Sequence, residues 1–115
     1  MNHGSQRTNL PLSQDRLWDS LMELARIGAL PNGGNDRQTL TDRDAEGRAL
    51  FQRWGEAVGL TLTLDRVGNM RLHRPGRDPS RPAVAIGSHL DTQPTGGKFD
   101  GVLGCLLYTS DAADE

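Results

Sequence analysis

One stretch, GSHLDTQPTGGKFDGVLG, gathers an imidazole and two carboxylates, His89, Asp91 and Asp100, groups able to bind a metal ion or move a proton. His89 and Asp91 are two apart, so on an extended backbone their side chains leave the same face. Asp100 follows a loop containing Pro94, Gly96 and Gly97 and precedes a helix start expected over residues 101–107, where a carboxylate gains from the helix N-terminus. A neutral imidazole nitrogen and carboxylate oxygens suit zinc and related divalent ions, and a neighbouring carboxylate can fix the imidazole tautomer. The parts are then His89 as a ligand, Asp91 as the orienter of a ligand, and Asp100 as a carboxylate able to bridge two ions. Read from residue types alone, a bland account stands beside this one: His89 caps a strand, Asp91 starts a turn and Asp100 caps a helix.

Positioning such a cluster takes several elements. Ser13 is placed to cap a helix reaching about Gly28, with Leu17, Leu21, Leu24 and Ala25 on one stripe and Trp18 beside it. The segment from Leu30 to Gln38, with Gly33 and Gly34, reads as a loop that either scaffolds the domain or approaches a ligand. Thr41 and Asp44 form a weaker version of the capping box, in which Glu or Gln usually takes the second place. The helix they open should run from Asp42 to about Val58, facing a core with Leu50, Trp54, Ala57 and Val58. Both tryptophans read as packing residues.

After Gly59 the period changes to two. Leu60, Leu62 and Leu64 alternate with Thr61, Thr63 and Asp65, the pattern of a half-buried strand. A second strand is expected over residues 67–71, with Gly68 and Asn69 either in a hairpin turn or in a bulge. Residues 83–88 (AVAIGS) read as a strand covered on both faces, ending just before His89. Helices followed by strands in this order indicate an α/β layered fold, and the ends of strands are where such folds carry their sites.

Composition narrows the function classes. Fifteen acidic against thirteen basic side chains give a net charge of −2, so no footprint for nucleic acid is present. Arg71, His73, Arg74, Arg77 and Arg81 fall around Pro75, Gly76 and Pro79, an exposed turn where charge is ordinary. No apolar run approaches the roughly 18 residues of a membrane span. One cysteine, Cys105, excludes an internal disulfide framework and fits a reducing, cytoplasmic setting.

The cluster, together with RLWDSLMELARIGALPNGG, LTDRDAEGRALFQRWGEAVGL and DRVGNMRLHRPGRDP, resembles the amino-terminal part of the M20-type amidohydrolases. That family includes N-carbamoyl-L-amino-acid hydrolase, allantoate amidohydrolase and β-ureidopropionase. The resemblance runs from about Leu10 to Gly104. It implies the amino-terminal part of a layered, mixed-sheet zinc-hydrolase catalytic domain, with His89 ligating one of two divalent ions, Asp100 bridging them, and Asp91 as the catalytic acid supporting the site. Zinc is the expected metal, with manganese or cobalt as substitutes. The implied substrate is a small N-carbamoyl or ureido acid, cleaved at its C–N bond. The implied full-length protein is a homodimer, with no nucleic-acid or membrane partner. An aminopeptidase or deacylase of the same type shares His-x-Asp and the later Asp, and a binding domain without chemistry is the non-enzymatic alternative.

Three segments follow from this reading. Residues 1–11 form a loose arm, 12–104 the amino-terminal part of the catalytic domain, and 105–115 a non-native tail. The tail, CLLYTSDAADE, matches the in-frame translation of a transposon-derived sequencing adapter, whereas the family continues with small and aliphatic residues. The catalytic glutamate and later histidines of the family are absent from the sequence, so the chain alone is expected to be inactive.

Overall fold

A computed structural model describes residues 13–106. The loose arm expected at residues 1–11, and the tail beyond residue 106, lie outside the described residues. The described order is two helices and then two strands, α1 (Gln14–Ala25), α2 (Asp42–Ala57), β1 (Thr61–Leu64) and β2 (Met70–His73), with residues 102–106 again helical.

Each long helix starts where its cap predicts. The Ser13 hydroxyl accepts the Arg16 N–H at 3.1 Å, and the Thr41 hydroxyl accepts that of Asp44 at 3.2 Å. The reciprocal half of the capping box differs from expectation. Asp44 accepts the N–H of Leu40 at 3.1 Å rather than that of Thr41, whose N–H donates to the Gln38 carbonyl at 3.2 Å.

Leu21 and Leu24 of α1, Leu50 of α2, and Val102 and Leu106 make the core, with Leu17, Met22, Ile27, Trp54 and Leu90 packed around it. Burial of side chains of this kind is worth about 1.5–3 kcal/mol each relative to exposure. One expected core position falls elsewhere: Ala57 is exposed. Trp18, read from sequence as a core or subunit-packing residue, is 54% exposed in this chain and tilted on Phe99 with ring centroids 5.9 Å apart. The face that α2 buries instead runs through Asp44, Gly47, Leu50, Phe51 and Gly55.

β1 and β2 form an antiparallel hairpin in the register Thr61 with His73 through Leu64 with Met70. Its loop resolves the choice left open by the sequence in favour of a turn. Gly68 adopts φ 86°, and the Asp65 carboxylate accepts the N–H groups of Val67 and Asn69 and the Asn69 side-chain amide. The second strand therefore begins at Met70, three residues later than expected.

Residues 83–88 do not form the buried strand their composition suggests. They carry no strand pairing among the described residues, and Val84 and Ile86 are 94% and 61% exposed. A strand buried on both faces needs hydrogen-bonded neighbours, and the only two described strands pair with each other.

Candidate functional site

The segment that follows, 89–92, is held by contacts from far away in sequence. Arg37 and Asn35, neither singled out by sequence reasoning, are both fully buried. The Arg37 guanidinium donates to the carbonyls of Leu90 at 3.0 Å, Leu24 at 3.0 Å and Ile27 at 2.7 Å, and to the Asn35 side-chain oxygen at 3.1 Å. One side chain thus ties the end of α1 to the residue between His89 and Asp91. Burial pulls the guanidinium below its ordinary pKa, and the charges of Asp44 and Asp91 oppose that pull.

The backbone around this arginine is stitched in the same way. Thr92 donates its N–H to the Arg37 carbonyl at 2.8 Å, and its hydroxyl accepts the Arg37 N–H at 2.7 Å. Asn35 bridges Ala29 on one side and Gly96 on the other, while its amide donates to the carbonyls of Ala25 and Ile27 at the end of α1. The Gly33–Gly34 loop is therefore scaffolding that presents Asn35. Gly96 likewise serves backbone pairing, and Lys98 lies over the Phe99 ring, 5.5 Å from its centroid.

On this frame the expected residues come together. His89, Asp91, Thr92, Gln93 and Asp100 line a single open cleft of about 330 Å³. His89 Nδ1 lies 3.0 Å from the Asp91 carbonyl and 3.4 Å from its carboxylate, so the two side chains meet on one side without a regular strand beneath them. Both neighbours of Nδ1 are acceptors, an arrangement that favours the hydrogen on Nδ1 and leaves Nε2 facing away from them.

Asp100 reaches the cleft through the helix behind it. Gly101, at φ 73°, lies so close to the His89 imidazole that a Cβ there would sit 2.4 Å from the ring, and one at Gly104 would sit 2.9 Å from the Ser88 side chain. Gly101, in the turn before the helix, and Gly104, within it, leave room without side chains for residues 88–89 to pack close. Cys105 and Leu106 continue this helix, and Leu106 is fully buried, so the packing supplied by the helix extends past Gly104. Burial also pushes the Cys105 thiol above its ordinary pKa.

These donors fit a divalent ion in kind, with an imidazole nitrogen fixed from behind and an aspartate on the same cleft. They fall short in number. Among the described residues no three His, Cys, Asp or Glu side chains converge to hold an ion, whereas zinc takes three protein ligands and water, or four. Among the same residues, no helix is long and apolar enough to cross a membrane.

Comparison with known proteins agrees with this architecture. No family model matches the chain. An N-carbamoyl-L-amino-acid amidohydrolase of Rhizobium meliloti is 64% identical over 98 residues, which is 85% of this chain and 24% of that protein. A ureidoglycolate hydrolase of Arabidopsis thaliana is 35% identical over 99 residues, 86% of this chain and 21% of that protein. Among solved structures, an amidase of the hydantoinase/carbamoylase family from Burkholderia multivorans superimposes with a TM-score of 0.89 at 46% identity, covering 91% of this chain and 26% of its own. The chain thus spans about a quarter of the length of the curated relatives it matches.

Proposed function

This chain belongs to the hydantoinase/carbamoylase family of amidases, and from that premise we propose that the whole protein hydrolyses the carbamoyl C–N bond of N-carbamoyl-L-amino acids. The observation that carries the proposal is the meeting of His89, Asp91 and Asp100 on one cleft, in a chain 64% identical to an N-carbamoyl-L-amino-acid amidohydrolase. Ureidoglycolate is the second substrate class, supported by the plant relative at 35% identity. We place the protein in the M20-type group, in the cytoplasm and as a homodimer, in line with its single cysteine and the family resemblance.

In this proposal His89 and Asp100 would hold two divalent ions, zinc first among them, together with ligands from the rest of the protein. When bound, such ions lower the pKa of a water molecule and polarise the scissile carbonyl. Asp91 is the supporting carboxylate of the set. It fixes the His89 tautomer through Nδ1 and places a negative charge behind the imidazole, which raises its basicity as a ligand. Gln93, on the same cleft, stands at the mouth where a ureido group would enter.

The test is hydrolysis of N-carbamoyl-L-amino acids and of ureidoglycolate by the longer protein that carries this sequence, before and after chelator treatment. Turnover of the carbamoyl substrate, lost on chelation and in His89→Ala, is the expected result. The 115-residue chain alone is expected to show none, since its described donors do not complete an ion site. Metal-dependent turnover by that short chain, or chelator-resistant turnover by the longer one, would overturn the reading.

A further inference from the structure

Asp91 is itself held from outside the cleft. Its second carboxylate oxygen accepts the hydroxyl of Thr39 at 2.8 Å, across 52 residues of sequence, while the first faces His89 Nδ1. We propose that Thr39 is a positioning residue for the His89 imidazole, acting through Asp91. The relevance of this role to hydrolysis rests on the function proposed above.

Thr39 is aimed by a turn that the start of α2 enforces. Leu40 adopts φ 67°, a left-handed conformation that disfavours a branched aliphatic residue, and it is 95% exposed, so burial gives nothing back. What holds it there is polar. The Asp44 carboxylate accepts the Leu40 N–H, and the Thr41 hydroxyl donates to the Gln38 carbonyl at 2.6 Å while capping the helix. Residues 38–41 are thereby fixed to α2, and Thr39 projects from them to Asp91.

The consequence reaches the imidazole because both acceptors near Nδ1 belong to one residue. Asp91 offers its backbone carbonyl at 3.0 Å and its carboxylate at 3.4 Å, and each depends on where Asp91 sits. Arg37 and Thr92 fix the main chain on either side of Asp91, at Leu90 and at Thr92 itself. Among the described residues, Thr39 is the side chain that fixes the carboxylate. A threonine suits this task, since its branched Cβ restricts χ1 and its hydroxyl donates to a charged acceptor.

The experiment is tautomer assignment by long-range 1H–15N NMR on the 15N-labelled 115-residue chain at a pH where imidazole is neutral, with His89 identified by its loss in His89→Gln. The wild-type chain should hold His89 as the Nδ1–H tautomer. Thr39→Val, of similar shape but without the hydroxyl, should shift the tautomer ratio toward Nε2–H by about three- to tenfold, the effect of losing one hydrogen bond. Thr39→Ser should restore it. His73, exposed on β2, serves as the internal control and should not change in any variant.

An unchanged His89 ratio in Thr39→Val overturns the proposal, as does a wild-type chain whose His89 shows the Nε2–H preference of a free imidazole. Failure of a serine rescue overturns it too, by assigning the valine effect to packing. None of these outcomes depends on turnover, so they are separable from failure of the hydrolase reading, which only the activity and chelation assays decide.

Discussion

Replacing Arg37 with methionine tests the idea that one buried cation, bound to neutral carbonyls, holds the site segment in place. Met preserves much of the side-chain volume and removes four hydrogen bonds, to Leu90, Leu24, Ile27 and Asn35. Two of the acceptors keep a second donor. The Leu24 carbonyl retains the Ile27 N–H, and the Ile27 carbonyl retains the Asn35 amide. The part-buried Leu90 carbonyl and the buried Asn35 side-chain oxygen both lose their guanidinium donor, and a buried acceptor left unsatisfied costs about 1–3 kcal/mol. Bonds from a charged donor add about 1.5–3 kcal/mol each when lost, but the substitution also relieves the burial of a cation. A net loss of about 3 kcal/mol follows, a large share of the 5–15 kcal/mol typical of a folded domain. With a urea slope of about 1.5 kcal/mol/M, the unfolding midpoint of the 115-residue chain should fall by about 2 M. Arg37→Lys should rescue little, because a single ammonium cannot address the Leu90 and Leu24 carbonyls with the geometry of a planar fork. A midpoint within about 0.5 M of wild type in Arg37→Met would refute the reasoning, since it would show that the carbonyls are satisfied without the guanidinium.

Two further perturbations follow from the same structure. Gly47→Ala gains about 1 kcal/mol of helix propensity, but its Cβ would sit 2.9 Å from Arg37 Cδ, which the hydrogen bonds prevent from moving. The net should be a loss of about 1 kcal/mol by urea titration in the wild-type background, turning to a gain in the Arg37→Met background where the neighbour can shift. In the hairpin loop, the Asn69 side-chain amide, then its backbone N–H, hold the Asp65 carboxyl below its usual range. A carboxyl depressed on folding contributes stability that is full above its unfolded value of about 3.9 and is lost as pH falls through the lower folded one. Amide exchange in the loop should therefore accelerate as pH falls through that window beyond the intrinsic rate, and Asp65→Asn should abolish this extra dependence.

The features legible in the amino-acid sequence are those that a short stretch encodes. Ser13 and Thr41 mark their helices because a cap is a bond across three residues, and the leucine–threonine alternation marks the first hairpin strand, although Leu64 is 60% exposed and the half-buried pattern expected of it does not hold. The spacing of His89 and Asp91 marks them as a pair, but no strand lies beneath them, and contacts from distant residues bring their side chains together. The tertiary structure alone decided which polar residues hold that pair. Arg37 bonds to residues 10, 13 and 53 positions away, Thr92 to one 55 away and Thr39 to one 52 away, and no local periodicity reports such partners. In sequence Arg37 and Thr39 look like ordinary loop residues, since a buried arginine differs from an exposed one only by the carbonyls that surround it. Residues 83–88 show the converse, for their apolar composition reads as a strand while a strand exists only where another backbone lies alongside to accept and donate its hydrogen bonds.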